Sequence, residues 1–229
     1  MATIHGTDKW NSHWYAQHYQ RHFQPLRRKR LNLLEIGIGG YDDPFDGGGS
    51  LRMWKQFFPR AKIYGIDIHE KSAHAEPRVA VFRGSQCDPD FLHKVARQIG
   101  RIDIIIDDGS HVNEHAIASF ECLFPLLADG GIYAIEDTQT SYWPGSYGGS
   151  TDLSCASTTM NRLKRLVDGL NYREFLDPHY SPSYFDRHVV SAHFYHNLAF
   201  IYKGDNEENT NRERFVGPPS NAIALQDVR

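Results

Sequence analysis

What most constrains this chain is an alternation. Short runs of apolar, β-branched residues recur along most of its length, and the stretches between them carry apolar residues at helical spacing. Leu31–Ile36, Lys62–Asp67, Val79–Phe82, Ile102–Asp107 and Gly131–Ile135 read as strands, apolar on both faces as buried parallel strands are. Asp88 and Pro89 suit the cap and first turn of a helix with Phe91, Leu92, Val95 and Ile99 on one face. A second helix is expected to start near Asn113, carry Ile117, Phe120 and Phe124 inward, and end around Pro125. Met160, Leu163, Val167 and Leu170 mark a third, with Gly169 as its C-terminal cap. His188–Phe194 and Leu198–Tyr202 then read as an antiparallel hairpin turning at His196-Asn197. The expectation is an α/β fold, Rossmann-like, with a seven-stranded, mostly parallel sheet that ends in that hairpin.

No linker or repeat divides the 229 residues, so a single domain is expected over 1–229, with an N-terminal arm (1–30), a core (31–203) and a loosely held tail (204–229) containing Gly217-Pro-Pro-Ser220. The arm is aromatic (Trp10, Trp14, Tyr15, Tyr19, Phe23) and is expected to lie over the sheet or over a partner subunit, so a homo-oligomer is expected. Twenty-five Lys and Arg against 28 Asp and Glu leave a net charge of -3, which disfavours nucleic acid or an anionic membrane as partner. Arg27–Arg30 is then a solvated turn. No apolar run approaches a membrane span, and the start, MATIHGTDKW, does not read as a signal peptide. Cys87, Cys122 and Cys155 fit no disulfide or zinc pattern and are expected to be reduced thiols of a cytoplasmic protein.

Glu35-Ile-Gly37-Ile-Gly39-Gly40 follows the first strand, and the second strand ends at Asp67. In a doubly wound sheet this places Gly37 and Gly39 against a nucleoside cofactor and Asp67 where it can bond ribose hydroxyls. The third glycine of the dinucleotide fingerprint is not at its usual spacing, and Glu35 precedes the first. A carboxylate there suits a cofactor bearing an ammonium group, which points to S-adenosylmethionine. The long loop that follows, up to Ser50, reads as a mobile cofactor lid, and Ser85 and Gln86 after the third strand can reach an adenine edge.

The fourth strand ends in Asp107-Asp108-Gly-Ser-His111 and the fifth in Glu136-Asp137. As parallel neighbours these strands would bring both acid pairs to one carboxyl rim, where oxygen ligands favour Mg2+ or Mn2+. His111, on the same turn as Asp108, is the candidate general base. Of the 13 histidines, His115 is the nearest decoy, and His13 and His18 are candidate lid contacts. Tyr142, Trp143 and Tyr147 form a candidate aromatic wall for an acceptor.

Thr7-Asp-Lys9, Leu34-Glu-Ile-Gly-Ile-Gly-Gly-Tyr41, Ser50-Leu-Arg-Met-Trp54, Asp107-Asp-Gly-Ser-His111, Ile135-Glu-Asp137 and Ser141-Tyr-Trp143 together resemble the metal-dependent sugar O-methyltransferases of macrolide biosynthesis. The resemblance implies a class I methyltransferase fold, S-adenosylmethionine as donor and Mg2+ held by Asp108, Glu136 and Asp137. It also implies His111 as base, Asp67 on the ribose, and Thr7, Tyr41, Ser50 and Asp107 in the donor site. The macrolide enzymes carry an additional N-terminal domain that this chain is read as lacking, so short relatives acting on other natural-product sugars or on polysaccharides fit its length. A sugar-containing acceptor is therefore expected. The competing readings are a catechol-type methyltransferase and a dinucleotide-dependent oxidoreductase or epimerase.

Overall fold

Seven strands form where the apolar runs fall: β1 (Asn32–Ile36), β2 (Lys62–Asp67), β3 (Val79–Arg83), β4 (Ile102–Asp107), β5 (Leu127–Ile135), β6 (Val189–Tyr195) and β7 (Leu198–Lys203). They make one sheet of order β3-β2-β1-β4-β5-β7-β6 in the computed structural model, which describes residues 1–210. The first five strands pair in parallel, and β7 runs antiparallel to both β5 and β6. Asn197, at φ 61°, turns the hairpin where expected.

The helices are α1 (Ala2–His5), α2 (Ala16–Phe23), α3 (Gly49–Phe57), α4 (Pro89–Ile99), α5 (Asn113–Leu123), α6 (Thr159–Gly169) and α7 (Tyr184–His188). Strand alternation sends side chains to two apolar layers. Ile104 and Ile106 of β4 join Tyr19, Phe23, Trp54 and Phe58, so the arm and α3 cover one face. Ile105 joins Leu92, Val95, Phe120, Leu123 and Leu163, so α4, α5 and α6 cover the other. Asp88 caps α4, accepting from the N–H groups of Asp90 and Phe91.

Several boundaries differ from expectation. β5 starts at Leu127, because Leu127 pairs with Ile102 before a register shift that the Asp129-Gly130-Gly131 stretch accommodates. Gly169 is the last residue of α6 and not its cap, and Val167 is 41% exposed because the buried face of α6 runs through Thr159, Leu163 and Leu166. The loop between β1 and α3 is clamped: the buried ammonium of Lys71 donates to the carbonyls of Asp43 and Asp46, and Arg52 donates to that of Gly47. At the start of the expected tail, Asn206 Nδ2 donates to the Asp186 carbonyl at 2.8 Å; Gly217–Ser220 lie outside the described residues. All three cysteines are free.

The arm is fastened to the hairpin through His22, which stacks on Phe200 at 4.1 Å and bonds Tyr202 OH through Nδ1 (2.7 Å) and Tyr195 OH through Nε2 (2.9 Å). Burial, reinforced by His193, Arg21 and His18, lowers its pKa to about 4. In the unfolded chain His22 takes up a proton near pH 6.5, so the unfolded state binds more protons between pH 6.5 and 4. Stability contributed by this site is therefore present above pH 6.5 and lost as pH falls through 4. In urea unfolding, His22→Gln should lose less stability than the unaltered chain between pH 7 and 4.5; equal losses would show that His22 takes up its proton as readily in the folded chain as in the unfolded one.

Candidate functional site

The sheet order reverses between β1 and β4, so the loops after these strands flank the crevice where open α/β sheets bind ligands. Gly37 opens the first loop at φ 88°, and a Cβ there would strike the backbone carbonyl of Asp108, which opens the second. Glycine is what lets the two loops close against each other. Asp67 braces the glycine loop from β2: its Oδ2 accepts from the Ile38 N–H at 2.9 Å and its Oδ1 from the His69 N–H at 2.8 Å. Each oxygen retains capacity for a further donor.

At the rim beyond β4 and β5, His111 Nε2 lies 3.5 Å from Asp137 Oδ2 and 4.0 Å from Asp108 Oδ1. Ligand atoms of Asp108, His111 and Asp137 all lie within 4.8 Å of one another, the one such set among the described residues. His111 (φ 56°) and Asp137 (φ 52°) both hold left-handed backbone. That conformation costs a non-glycine residue roughly 1–2 kcal/mol and tends to be kept where it aims a functional side chain.

Behind this set stands the N-terminal arm. Lys9, fully buried, donates to Asp108 Oδ2 and Glu136 Oε1, each at 2.6 Å, and lies 3.6 Å from Glu35 Oε1. Tyr19 OH donates to Glu136 Oε1 at 2.5 Å, and Tyr15 OH to Asp137 Oδ1 at 2.7 Å. His13 stacks on Tyr15 and places Nδ1 3.8 Å from Asp137 Oδ1. Burial would lower the pKa of Lys9, but Asp108, Glu136 and Glu35 together outweigh it and hold the group charged. Burial raises the carboxyls of Asp108 and Glu136 while Lys9 pulls them back, and it raises Glu35 to about 7. Asp107 is raised by burial too, against the Ser119 hydroxyl that bonds it.

The other residues singled out from the sequence fall into two groups. Glu35 and Ser50 face each other inside the protein: Glu35 accepts from Ser50 Oγ at 2.8 Å and from Trp54 Nε1 at 3.1 Å, and the ammonium beside it belongs to Lys9. Asp107 and Gln86 also face inward. The Gln86 amide donates to Asp107 Oδ1 and its Oε1 accepts from the Ser110 N–H, which fixes the turn that carries His111. Nearer solvent, Ser85 Oγ accepts from the Cys87 N–H, Thr7 is half-buried ahead of Lys9, and Tyr41 is 88% exposed on the glycine loop. Tyr142, Trp143 and Tyr147 are exposed, with the Trp143 and Tyr147 rings 5.9 Å apart edge to face. Decoy His115 bonds Ser110 Oγ.

From the sequence, Tyr15 and Tyr19 are aromatics of the arm, Lys9 belongs to the Thr7-Asp-Lys9 motif and Asn113 starts a helix, but none of the four is a candidate site residue. Asn113, buried at the start of α5, donates to the carbonyls of Tyr147 and Thr140 and accepts from Ser141 Oγ and the Thr159 N–H, so it organises the aromatic loop. The i, i+4 spacing of Tyr15 and Tyr19 puts both rings on one face of the arm and is a signal that they act together.

Sheet order, crevice and rim define the class I methyltransferase fold, and residues 45–138 match a family described as a methyltransferase domain. The chain is 50% identical over 197 residues to mycinamicin VI 2''-O-methyltransferase of Micromonospora griseorubida, across 86% of this chain and 49% of that protein. It is 49% identical over 207 residues to 8-demethyl-8-alpha-L-rhamnosyl tetracenomycin-C 2'-O-methyltransferase of Streptomyces olivaceus, across 90% and 54%. The solved methyltransferase of the mycinamycin pathway, in complex with Mg, SAH and mycinamycin VI, superposes with TM-score 0.87 at 46% identity, over 96% of this chain and 54% of that one. The chain is thus a homologue of sugar O-methyltransferases of macrolide and tetracenomycin pathways, and it spans about half the length of the curated relatives it matches.

Proposed function

We propose that this chain transfers a methyl group from S-adenosylmethionine to a sugar hydroxyl of a natural-product glycoside or a polysaccharide, assisted by Mg2+. The observation that carries this is the convergence of Asp108, His111 and Asp137 beside the glycine loop. Lys9 alone pairs with three carboxylates, Glu35, Asp108 and Glu136, and Asp137 stands beside Asp108 at the rim, an excess of negative charge that suits a divalent cation and a sulfonium donor. Asp108, Asp137 and Glu136 are the residues that would hold Mg2+, since hard oxygens suit it better than imidazole. Bound there, Mg2+ would lower the pKa of a sugar hydroxyl whose oxygen then attacks the donor methyl.

His111 Nε2 takes the hydroxyl proton, and the imidazolium so formed is stabilised by the Asp108 and Asp137 carboxylates facing it. Gly37, Gly39, Asp67, Ser85, Thr7 and Tyr41 line the donor side. Glu35, Ser50, Gln86 and Asp107 hold the loops in place from within. Tyr142, Trp143 and Tyr147 offer faces to a sugar ring. We read the described residues as one domain, because the arm's Tyr15, Tyr19 and Phe23 lie inside its core. The expected homo-oligomer rests on the exposed, edge-to-face Trp10–Trp14 pair. No helix among the described residues is long and apolar enough to cross a membrane; with three free thiols this favours the cytoplasm.

The test is transfer from labelled donor to a panel of free sugars, oligosaccharides, glycosides and catechols, with Mg2+ or with chelator. Transfer to a sugar or glycoside that chelator stops is expected. Preference for catechol, or undiminished activity in chelator, would overturn the reading, as would thermal stabilisation by NAD but not by S-adenosylhomocysteine.

A further inference from the structure

The carboxylates at the rim divide their oxygens. Asp108 gives Oδ2 to Lys9 and Asp137 gives Oδ1 to Tyr15, while the opposite oxygens, Asp108 Oδ1 and Asp137 Oδ2, are the ones that face His111 Nε2. Glu136 receives both of its donors, Lys9 and Tyr19, on Oε1. All the donors come from one stretch of chain, residues 9–19, and Lys9, Tyr15 and Tyr19 are each no more than 2% exposed.

A carboxylate with neither oxygen held turns about its last bond; one oxygen pinned from behind fixes the direction of the other. We propose that residues 9–19 are a brace for the divalent-cation site. Lys9, Tyr15 and Tyr19 are positioning residues that turn the remaining oxygens of Asp108, Asp137 and Glu136 toward the crevice. This rests on the cation reading above. The Lys9 ammonium and the cation are not rivals for one place at Asp108, because Lys9 bonds Oδ2 and the oxygen that faces His111 is Oδ1. Coupling of this kind is reciprocal: if the docked arm raises cation affinity, the cation tightens arm docking by the same factor. The brace therefore makes the arm a cover that closes most firmly over a loaded site.

Tyr15→Phe keeps the ring and its stacking on His13 and removes one hydroxyl. The experiment titrates Mn2+ into the full chain without donor or acceptor, following free Mn2+ by paramagnetic resonance at a temperature where both proteins are folded. Tyr15→Phe is expected to weaken Mn2+ binding about 10-fold, and Tyr15→Phe/Tyr19→Phe further. In parallel, Mg2+ should slow amide hydrogen exchange across residues 9–19 of the unaltered chain, and less so in Tyr15→Phe. Unchanged Mn2+ affinity in both variants, or exchange in the arm indifferent to Mg2+, overturns the brace and leaves the cation reading standing. Absence of Mn2+ binding by the unaltered chain overturns both.

Discussion

His111→Ala should slow methyl transfer by roughly 100- to 10,000-fold, the range a general base contributes, while S-adenosylhomocysteine binds about as before. The expectation follows from where His111 sits. It stands on a left-handed turn that Gln86 fixes through Ser110, with Nε2 aimed between Asp108 and Asp137 and a side chain that is partly solvent-accessible. Among the described residues His111 shares no hydrogen bond with the glycine loop or with Asp67, so donor binding is expected to survive its loss. Single-turnover kinetics paired with calorimetric binding of S-adenosylhomocysteine separates the two effects. A near-normal rate would move the base elsewhere, and His13, on the other oxygen of Asp137, is the imidazole to try next. If His111 were instead a structural residue, donor affinity and melting temperature would fall along with the rate.

The sheet was legible because strands buried on both faces leave continuous apolar runs, and Ile102–Asp107 supplies side chains to both core layers. Helix limits were less so. Gly169 looked like a cap, yet its neighbour in space is Asp186 of α7, which no local pattern announces. The glycine loop read as a mobile lid because Lys71, which clamps it, lies more than twenty residues further on. At the site, Asp108, His111 and Asp137 could be placed at one rim from strand order alone, since parallel neighbours expose the same ends. The reading stopped at the division of labour among the acids. Asp108 after β4 and Glu136 after β5 each turn one oxygen to Lys9, across sequence separations of 99 and 127 residues, and Asp137 turns one to Tyr15, pairings that no local pattern announces. Glu35 shows the same limit: before the glycine loop it suits the ammonium group of a cofactor, and no local pattern announces the Lys9 ammonium that lies 3.6 Å from it.

That internal ammonium leads to the largest expected loss of stability. Lys9→Met preserves the length of the side chain and removes its charge, leaving Asp108, Glu136 and Glu35 facing one another without a counter-ion. Removing one partner of a buried ionic cluster costs about 3–5 kcal/mol, because the groups left behind remain desolvated and unpaired. The cost must depend on pH. Burial already raises these carboxyls, Glu35 to about 7, and loss of Lys9 raises them further. A carboxyl with a folded pKa above its unfolded value binds more protons in the folded state, so stability falls as pH rises from about 4.5 through the folded value. Urea unfolding of Lys9→Met, in chelator, should therefore show its smallest deficit against the unaltered chain near pH 5 and its largest near pH 8. An equal deficit at both would mean that the carboxylates escape to solvent once the lysine is gone. In that case the arm has loosened over them, and amide exchange across residues 9–19 would rise in the same variant.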